Sequence, residues 1–416
     1  MTLDQADHGV LDDELDVVLD LRRPDPFTKA FDYSAADALR SAGVYPYYRR
    51  PEGVEGVHGR FDGRPVVLFS SNDYLGLGSH PRIREAAAAA TRRYGVSSGS
   101  RLLSGTLPVH RELEDRLADW LGVADVLTFS SAMGANQGFL SALVGRHDSV
   151  YVDKLAHASI QAGARIPTSA GVRRFRHNDP DDLAARLEAD PHDVGAVVAV
   201  DGVYSMAGDV ADLAGLVAVC RTAGARLAVD DAHGLGVLGG GRGTAHELGL
   251  AHEIDLHTGT FSKAMGSTGG YVAGDLAVID FLRHNALSIV FSVGLPPGSA
   301  AAADQALQIV ASEPERVSTA RHNGDRLRSG LTEAGFDIGG STTSIVPLLV
   351  GDDMETFNFW KASVDAGVHA NPVVSPAVAK GHGILRLTAT AAHDDADVDR
   401  AVETLAEVGR RRGLVG

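Results

Sequence analysis

The chain is short of several things, and each shortage narrows what it can be. Of its 416 residues only one is cysteine, Cys220, so neither an intrachain disulfide nor a cysteine-based metal site can be built. Cys220 follows Leu216, Val217 and Val219, as a small apolar side chain inside a helix would, and a reducing cytoplasm fits it. No apolar run approaches the ~20 residues that cross a bilayer, so no integral membrane segment is expected. The first residues, Met1-Thr2-Leu3-Asp4-Gln5, are acidic where a secretory leader is basic, and no signal peptide is read there. Basic charge is scarce: 38 Lys and Arg face 54 Asp and Glu, for a net −16. No basic field exists to displace counterions, so a nucleic-acid partner is not expected. The remaining balance, 44% hydrophobic and 22% charged, is that of an ordinary soluble globular protein. The length calls for two or three packed units.

What the chain does have is alternation. Short apolar runs at 126–129, 149–152, 173–175, 196–200, 226–229, 256–260 and 270–273 are separated by helical stretches. That pattern predicts an α/β protein with a βα-wound, mostly parallel sheet. A further strand is predicted at 66–69, and a long helix starts at Pro296-Pro297. Residues 300–416 read as a smaller α+β unit with strands at 344–349 and 384–388. Upstream, 12–22 is acidic and helix-like, and Tyr45-Pro46-Tyr47-Tyr48-Arg49-Arg50 forms an aromatic and basic cluster. The expected division is an N-terminal arm at 1–65, a large domain at 66–298 and a small C-terminal domain at 299–416.

Chemistry concentrates in two stretches. Leu227-Ala228-Val229 is an apolar run ending in Asp230-Asp231-Ala232-His233, and Lys263 follows about thirty residues later in Thr258-Gly259-Thr260-Phe261-Ser262-Lys263. Alone, a Ser-Lys pair is a solvated loop and Asp-Asp a helix cap. In this order, with strand ends that α/β proteins use for ligands, they read otherwise. Lysine does covalent work by forming a Schiff base with an aldehyde, and pyridoxal phosphate (PLP) supplies one. Asp230 would keep the pyridine nitrogen protonated, and His233 would bond the ring oxygen. Phe129-Ser130-Ser131-Ala132-Met133-Gly134 places small residues at a helix start, where free N–H groups suit a phosphate. Thr260 and Ser262 add hydroxyls. His157 follows another strand end and offers an imidazole face. Arg386, a charge inside the apolar run Ile384-Leu385-Arg386-Leu387, wants an anion such as a substrate carboxylate.

These residues resemble the α-oxoamine synthase family of fold-type I PLP enzymes, over about 68–407. The motifs that carry the resemblance occur in family order. They are Ser71-Asn72-Asp73-Tyr74-Leu75-Gly76-Leu77, Gly99-Ser100-Arg101 with Ser104-Gly105-Thr106, His157-Ala158-Ser159, Asp201-Gly202-Val203-Tyr204-Ser205, Asp230-Asp231-Ala232-His233-Gly234, Thr260-Phe261-Ser262-Lys263, and Leu385-Arg386-Leu387-Thr388. The resemblance implies a large domain with a mostly parallel seven-stranded sheet and a smaller α+β domain. It implies that Lys263 binds PLP and shuttles the α-proton, that Asp230 and His233 hold the ring, and that His157 stacks on it. Thr260, Ser262 and the backbone at Ser131, Ala132 and Met133 would meet the phosphate. Ser205 and Asp201 would line the cofactor pocket, Arg101 and Arg386 would bind substrate, and Asn72 would enter from the partner subunit of a homodimer. No metal is called for.

The implied reaction condenses an amino acid with an acyl thioester, losing carbon dioxide and free thiol to leave an α-amino ketone. Serine or alanine is favoured, glycine is allowed, and the acyl carrier is coenzyme A or an acyl carrier protein. Arg49-Arg50 would suit such an anionic carrier. Three departures from the family pattern stand out: Met133 where an aromatic residue is common, Asp201 where glutamate is usual, and Val293 after Phe291-Ser292 where a hydroxyl usually follows. Ser292 is the stand-in for that hydroxyl. An aminotransferase, sharing fold, lysine and aspartate, is the rival reading.

Overall fold

The computed structural model describes residues 25–167, 171–191 and 193–416. The acidic segment at 12–22 lies outside them. The described residues form two compact units, one ending at Tyr47 and the other Tyr48–Gly416. The described part of the first holds two short helices, Thr28–Phe31 and Ala35–Ser41. There Arg40 lies 4.5 Å over the Tyr45 ring, and Tyr45 meets Tyr47 edge-on.

The second unit is built on a seven-stranded sheet. Its strands are β4 (Asp125–Phe129), β5 (Ser149–Asp153), β6 (Val172–Phe175), β7 (Ala196–Asp201), β8 (Arg226–Asp230), β9 (Leu256–Thr260) and β10 (Gly270–Gly274), in the order β4-β10-β9-β8-β7-β5-β6. Strands β9, β8, β7, β5 and β6 run parallel, whereas β10 is antiparallel to both neighbours. β4, β5, β9 and β10 are buried along their whole length, which is why they read as continuous apolar or small-residue runs. All seven predicted runs are strands here, within a residue or two at each end. Register matters most at one place. Asp201 pairs with Asp230, and Asp230 with Thr258, so adjacent strands deliver their last residues to one edge.

Two small sheets lie outside this one. β1 (Glu52–Glu55), β2 (His58–Phe61) and β3 (Arg64–Leu68) form an antiparallel meander, and β12 (Val368–His369) joins β3 in parallel. β11 (Ile345–Gly351), β14 (Gly383–Thr388) and β13 (Asn371–Val373) form an antiparallel sheet with β14 in the middle. Phe69 connects the two: its N–H donates to the His369 carbonyl at 2.8 Å, and its own carbonyl accepts from the Thr388 N–H at 2.7 Å. Its ring, fully buried, stacks on His393 at 4.1 Å.

Packing therefore draws the units differently from the expected boundaries. Val66, Val67 and Phe69 share one core with Trp360, Leu385 and Leu387. The helix Pro297–Ser312 instead buries Ala303, Ala306 and Val310 with Leu113, Leu117 and Tyr271 of the large-sheet layer. The limits at 65/66 and 298/299 thus fall within or beside packed groups. Arg49 also has a role the sequence did not suggest. Its guanidinium lies 4.9 Å from Phe61 and 5.5 Å from Trp360, and it pairs with Asp62. It is a packed cation, not a free one facing a carrier.

Phe69→Ala removes a fully buried ring at the junction of two sheets and should cost about 3–5 kcal/mol of stability. Chemical denaturation would read it; a loss below about 1 kcal/mol would mean the junction is not where these sheets are held.

Candidate active site

Six of the sequence-predicted residues converge where β7, β8 and β9 end. Asp230 is 4% exposed. Its Oδ2 accepts from Asn136 Nδ2 at 2.6 Å and its Oδ1 from the Ala232 N–H at 3.0 Å. Both oxygens are held as acceptors by groups that only donate. Asp231 serves elsewhere. It accepts from the Thr244 N–H and hydroxyl, each at 2.6 Å, and burial pushes it up to about 6. Asp201, also buried, accepts the His157 N–H at 2.8 Å. Burial first, and then the nearby Asp230 charge, push its carboxyl well above the usual range.

One of the two histidines has a defined tautomer. Asn136 Nδ2 donates to Ser159 Oγ at 2.8 Å, so the Ser159 hydroxyl proton is free to go to His157 Nδ1, 2.7 Å away. The Ser159 N–H points at the same nitrogen from 3.2 Å. Neutral His157 therefore carries its proton on Nε2. Burial, then the Lys263 charge, lower its pKa against the pull of Asp230. His233 is 6% exposed, and its Nδ1 lies 2.7 Å from the Tyr74 hydroxyl. The Arg386 charge acts on the same hydroxyl. Burial and the Lys263 and Arg386 charges hold it well below the usual histidine pKa.

Lys263 follows β9 in a half-buried turn. Burial lowers its pKa, with Asp230 and Asp201 opposing and Arg386 reinforcing. Arg386, in the centre of β14, is 4% exposed. Its Nε donates to the Ser205 carbonyl at 2.5 Å, and its Nη1 to Asn72 Oδ1 and Thr388 Oγ1 at 3.2 Å each. Among the described residues no carboxylate pairs with it. A buried guanidinium held only by neutral acceptors is an anion site.

The residues fit PLP. The helix Ala132–Leu143 starts with Ser131 as N-cap, its Oγ accepting the Gly134 N–H at 3.0 Å. Gly270 pairs with both Phe129 and Thr260, so β10 sets this helix start beside the Thr260 and Ser262 hydroxyls. A Cβ on Gly270 would lie 2.5 Å from the Ala132 Cα, which only glycine allows. Thr260 Oγ1 donates to the Gly269 carbonyl at 2.9 Å and lies 2.7 Å from Ser262 Oγ. N–H groups at Ala132 and exposed Met133, the helix dipole and Ser262 can hold a phosphate. Asp230 can face a ring nitrogen and Lys263 an aldehyde.

One predicted role changes. Arg101 is 6% exposed and committed within the fold: Nη2 to Glu114 at 3.0 and 3.2 Å, Nη1 to Thr128 Oγ1 at 2.8 Å, Nε to Thr106 at 3.1 Å. Every donor edge is taken, so it does not bind substrate. Asn72 meets Arg386 of its own chain. Ser205 acts through its carbonyl. Ser292 is exposed, in a loop anchored where Ser130 Oγ donates to the Val293 carbonyl at 2.6 Å. Sequence reasoning assigned no role to Asn136, Ser159 or Tyr74, which bond Asp230, His157 and His233. Asn136 sits four residues past Ala132, one helical turn on, a spacing that could have marked it.

The aminotransferase class I and II family model matches residues 64–405. A serine palmitoyltransferase of Sphingobacterium spiritivorum is 41% identical over 378 residues, 90% of this chain and 94% of that protein. An 8-amino-7-oxononanoate synthase of Geobacter sulfurreducens is 44% identical over 383 residues, covering 91% and 97%. A solved serine palmitoyltransferase of S. paucimobilis, a lysine-to-alanine variant with bound PLP–myriocin aldimine, superposes with a TM-score of 0.91 at 32% identity, covering 94% of this chain and all of that one. The fold and site are those of a fold-type I PLP-dependent enzyme. Within that class, the chain belongs to the α-oxoamine synthase family.

Arg101→Ala leaves Glu114 buried with its main partner gone and should destabilise the protein by about 3–5 kcal/mol. Amino-acid affinity of the folded holoenzyme should stay at the wild-type value. A large affinity loss without a stability loss would return Arg101 to the substrate site.

Proposed function

We propose that this α-oxoamine synthase joins serine to a long-chain acyl thioester, with decarboxylation, to give an α-amino ketone. The observation that carries the amino-acid half is Arg386, buried without a counter-ion beside Lys263 and His233. Serine rather than alanine is supported by the named serine palmitoyltransferases and their TM-scores of about 0.9, against 0.71 for an 8-amino-7-oxononanoate synthase that is 21% identical. The synthases at 40–44% identity keep alanine as the second reading. The acyl carrier is coenzyme A or a carrier protein, and the working unit is a homodimer in the cytoplasm. Among the described residues no helix is long and apolar enough to cross a membrane.

PLP, when bound, supplies an aldehyde for Lys263 and a sink for the electrons released at the substrate α-carbon. The chain's residues do the rest. Arg386 grips the amino-acid carboxylate with donors not used by Ser205, Asn72 and Thr388. Its grip fixes which α-carbon bond faces the lysine. Lys263, once displaced, is a base whose lowered pKa leaves more neutral amine to accept the α-proton. Asp230, steadied by Asn136, keeps a proton on the ring nitrogen. His157 presents an Nε2–H donor, and both histidines stay uncharged, so neither competes with Arg386 for the carboxylate. An aminotransferase would use the same lysine and aspartate but return the amino group to the cofactor.

The test is a spectral titration of the holoenzyme. Lys263→Ala should lose the visible band of the lysine-linked cofactor. Arg386→Ala should keep that band and weaken serine binding by roughly 10- to 100-fold, the loss of a charge-assisted hydrogen bond from Nη2. Serine alone should give a stable shift, and serine with palmitoyl-coenzyme A should release thiol. Conversion to the amine form of the cofactor by serine alone would instead make the protein an aminotransferase. A preference for alanine in thiol release would select the second reading.

A further inference from the structure

Outside the residues discussed so far, the protein holds one histidine between two carboxylates. His177, just past β6, has Nδ1 3.0 Å from Asp153 Oδ1 and Nε2 3.0 Å from Asp209 Oδ2. Both ring nitrogens face acceptors, so the ring donates twice and is an imidazolium. Asp153 is fully buried and also takes the Tyr204 hydroxyl at 2.8 Å and the Leu155 and Asn178 N–H groups at 2.7 Å. Asp209 is different. Its Oδ1 is buried without a hydrogen-bond partner, and among the described residues His177 is the only donor to its side chain. The Tyr204 ring stands edge-on to His177 at 4.4 Å.

What the two carboxylates belong to gives the ring its meaning. Asp153 ends β5 and opens the turn that carries His157. Asp209 closes the turn 201–209, whose Ser205 carbonyl receives Arg386 Nε and whose Gly208 carbonyl accepts from the Thr342 N–H and Thr343 Oγ1. Next to His177, Asn178 extends the link: its Nδ2 donates to the Val210 carbonyl at 3.0 Å and its Oδ1 accepts the Asp212 N–H at 2.7 Å. We propose that His177 is a positioning residue that joins the His157 turn to the Ser205 turn, and so sets the ring-facing imidazole and the carboxylate-binding guanidinium at a fixed separation. This rests on the reading of Arg386 as the amino-acid carboxylate site. The groups that face the ring are Asp153, Asp209 and the Tyr204 phenol. Burial works against the imidazolium, but the two carboxylates outweigh it and carry the ring to about 9. Because the folded value is raised, the stabilisation is complete below the ordinary histidine range and fades as pH rises through about 9.

The two arms can be cut separately. In His177→Asn the amide nitrogen replaces Nδ1 and keeps Asp153; in His177→Gln it replaces Nε2 and keeps Asp209. Two readouts on the holoenzyme need no acyl thioester: the serine dissociation constant from the spectral shift, and exchange of the serine α-proton with deuterated solvent followed by NMR. His177→Asn should raise the dissociation constant roughly tenfold with little change in exchange at saturation. His177→Gln should slow exchange by a similar factor with little change in affinity. Equal effects of both variants on both readouts, or a lowered melting temperature with both readouts at wild-type values, would show a structural role only and overturn the proposal. If the variants do not fold, nitrogen NMR of the wild-type ring decides. Two bound protons at pH 7, one of them lost near about 9, support the brace, and a neutral ring at pH 7 refutes it. Failure of thiol release with wild-type enzyme would count against the condensation alone, because neither readout uses that step.

Discussion

The site depends on one register. Because β7 and β8 run parallel with Asp201 opposite Asp230, two carboxylates end adjacent strands side by side inside the protein. Two buried like charges so placed cannot both ionise at ordinary cost. The surroundings divide them. Asp230 receives a side-chain amide and a backbone N–H, and lies within reach of Lys263. Asp201 receives a single backbone N–H, from His157, and is driven towards its neutral form. In the function proposed above, Asp230 is the carboxylate that faces the cofactor. The other becomes a fixed point for the turn that carries His157. The pairing also shortens the distance that Asn136 must span, since one helix-borne amide reaches Asp230, Ser159 and, through its Oδ1, Thr258 Oγ1 at 3.0 Å.

From that amide the proton arrangement at His157 follows. Asn136 donates to Ser159, so Ser159 gives its proton to His157. That imidazole ends with hydrogen on Nε2, by a chain that starts from a group with one possible role. A site assembled this way is oriented before substrate arrives, which spares reorganisation at the moment of reaction. It also concentrates positive charge: Lys263 and Arg386 each lower the other's neighbours, and neutral histidines are the consequence.

Much of this was legible in the sequence, for a physical reason. Parallel strands buried on both faces must be apolar, so a charge at their carboxyl end is conspicuous: Asp230, Asp201 and His157 announce themselves. Arg386 does so more strongly, standing inside Ile384-Leu385-Arg386-Leu387. Arg101 misled because a Gly/Ser-rich loop carries no periodicity, and nothing local says that its cation turns inward to Glu114. The β1–β2 hairpin escaped because Glu-Gly-Val-Glu is exposed throughout and has no apolar face to alternate. The contact of Asn72 with Arg386 was also beyond local reading. It follows from Phe69 joining two sheets and delivering the next residues to Arg386.

The contrast between the two buried arginines shows how burial should be read. Arg101 and Arg386 are 6% and 4% exposed and equally remote from solvent. Arg101 meets Glu114, and its charge is cancelled within the fold, so its removal is a matter of stability. Arg386 meets a carbonyl, an amide oxygen and a hydroxyl, none of which cancels a charge. Its position must be maintained by neighbours that bind it weakly, and that is a task for the turn holding Ser205 and for the loop holding Asn72. Both are fixed from behind, the turn by Thr342, Thr343 and Asp209, the loop by Asp73, whose carboxylate accepts the Leu77 and Gly78 N–H groups at 2.8 Å each. The cost of an unpaired cation is thus carried by the scaffold until an anion arrives. A substrate carboxylate that completes the pair gains an interaction already desolvated and oriented, which is why this position favours recognition over stability.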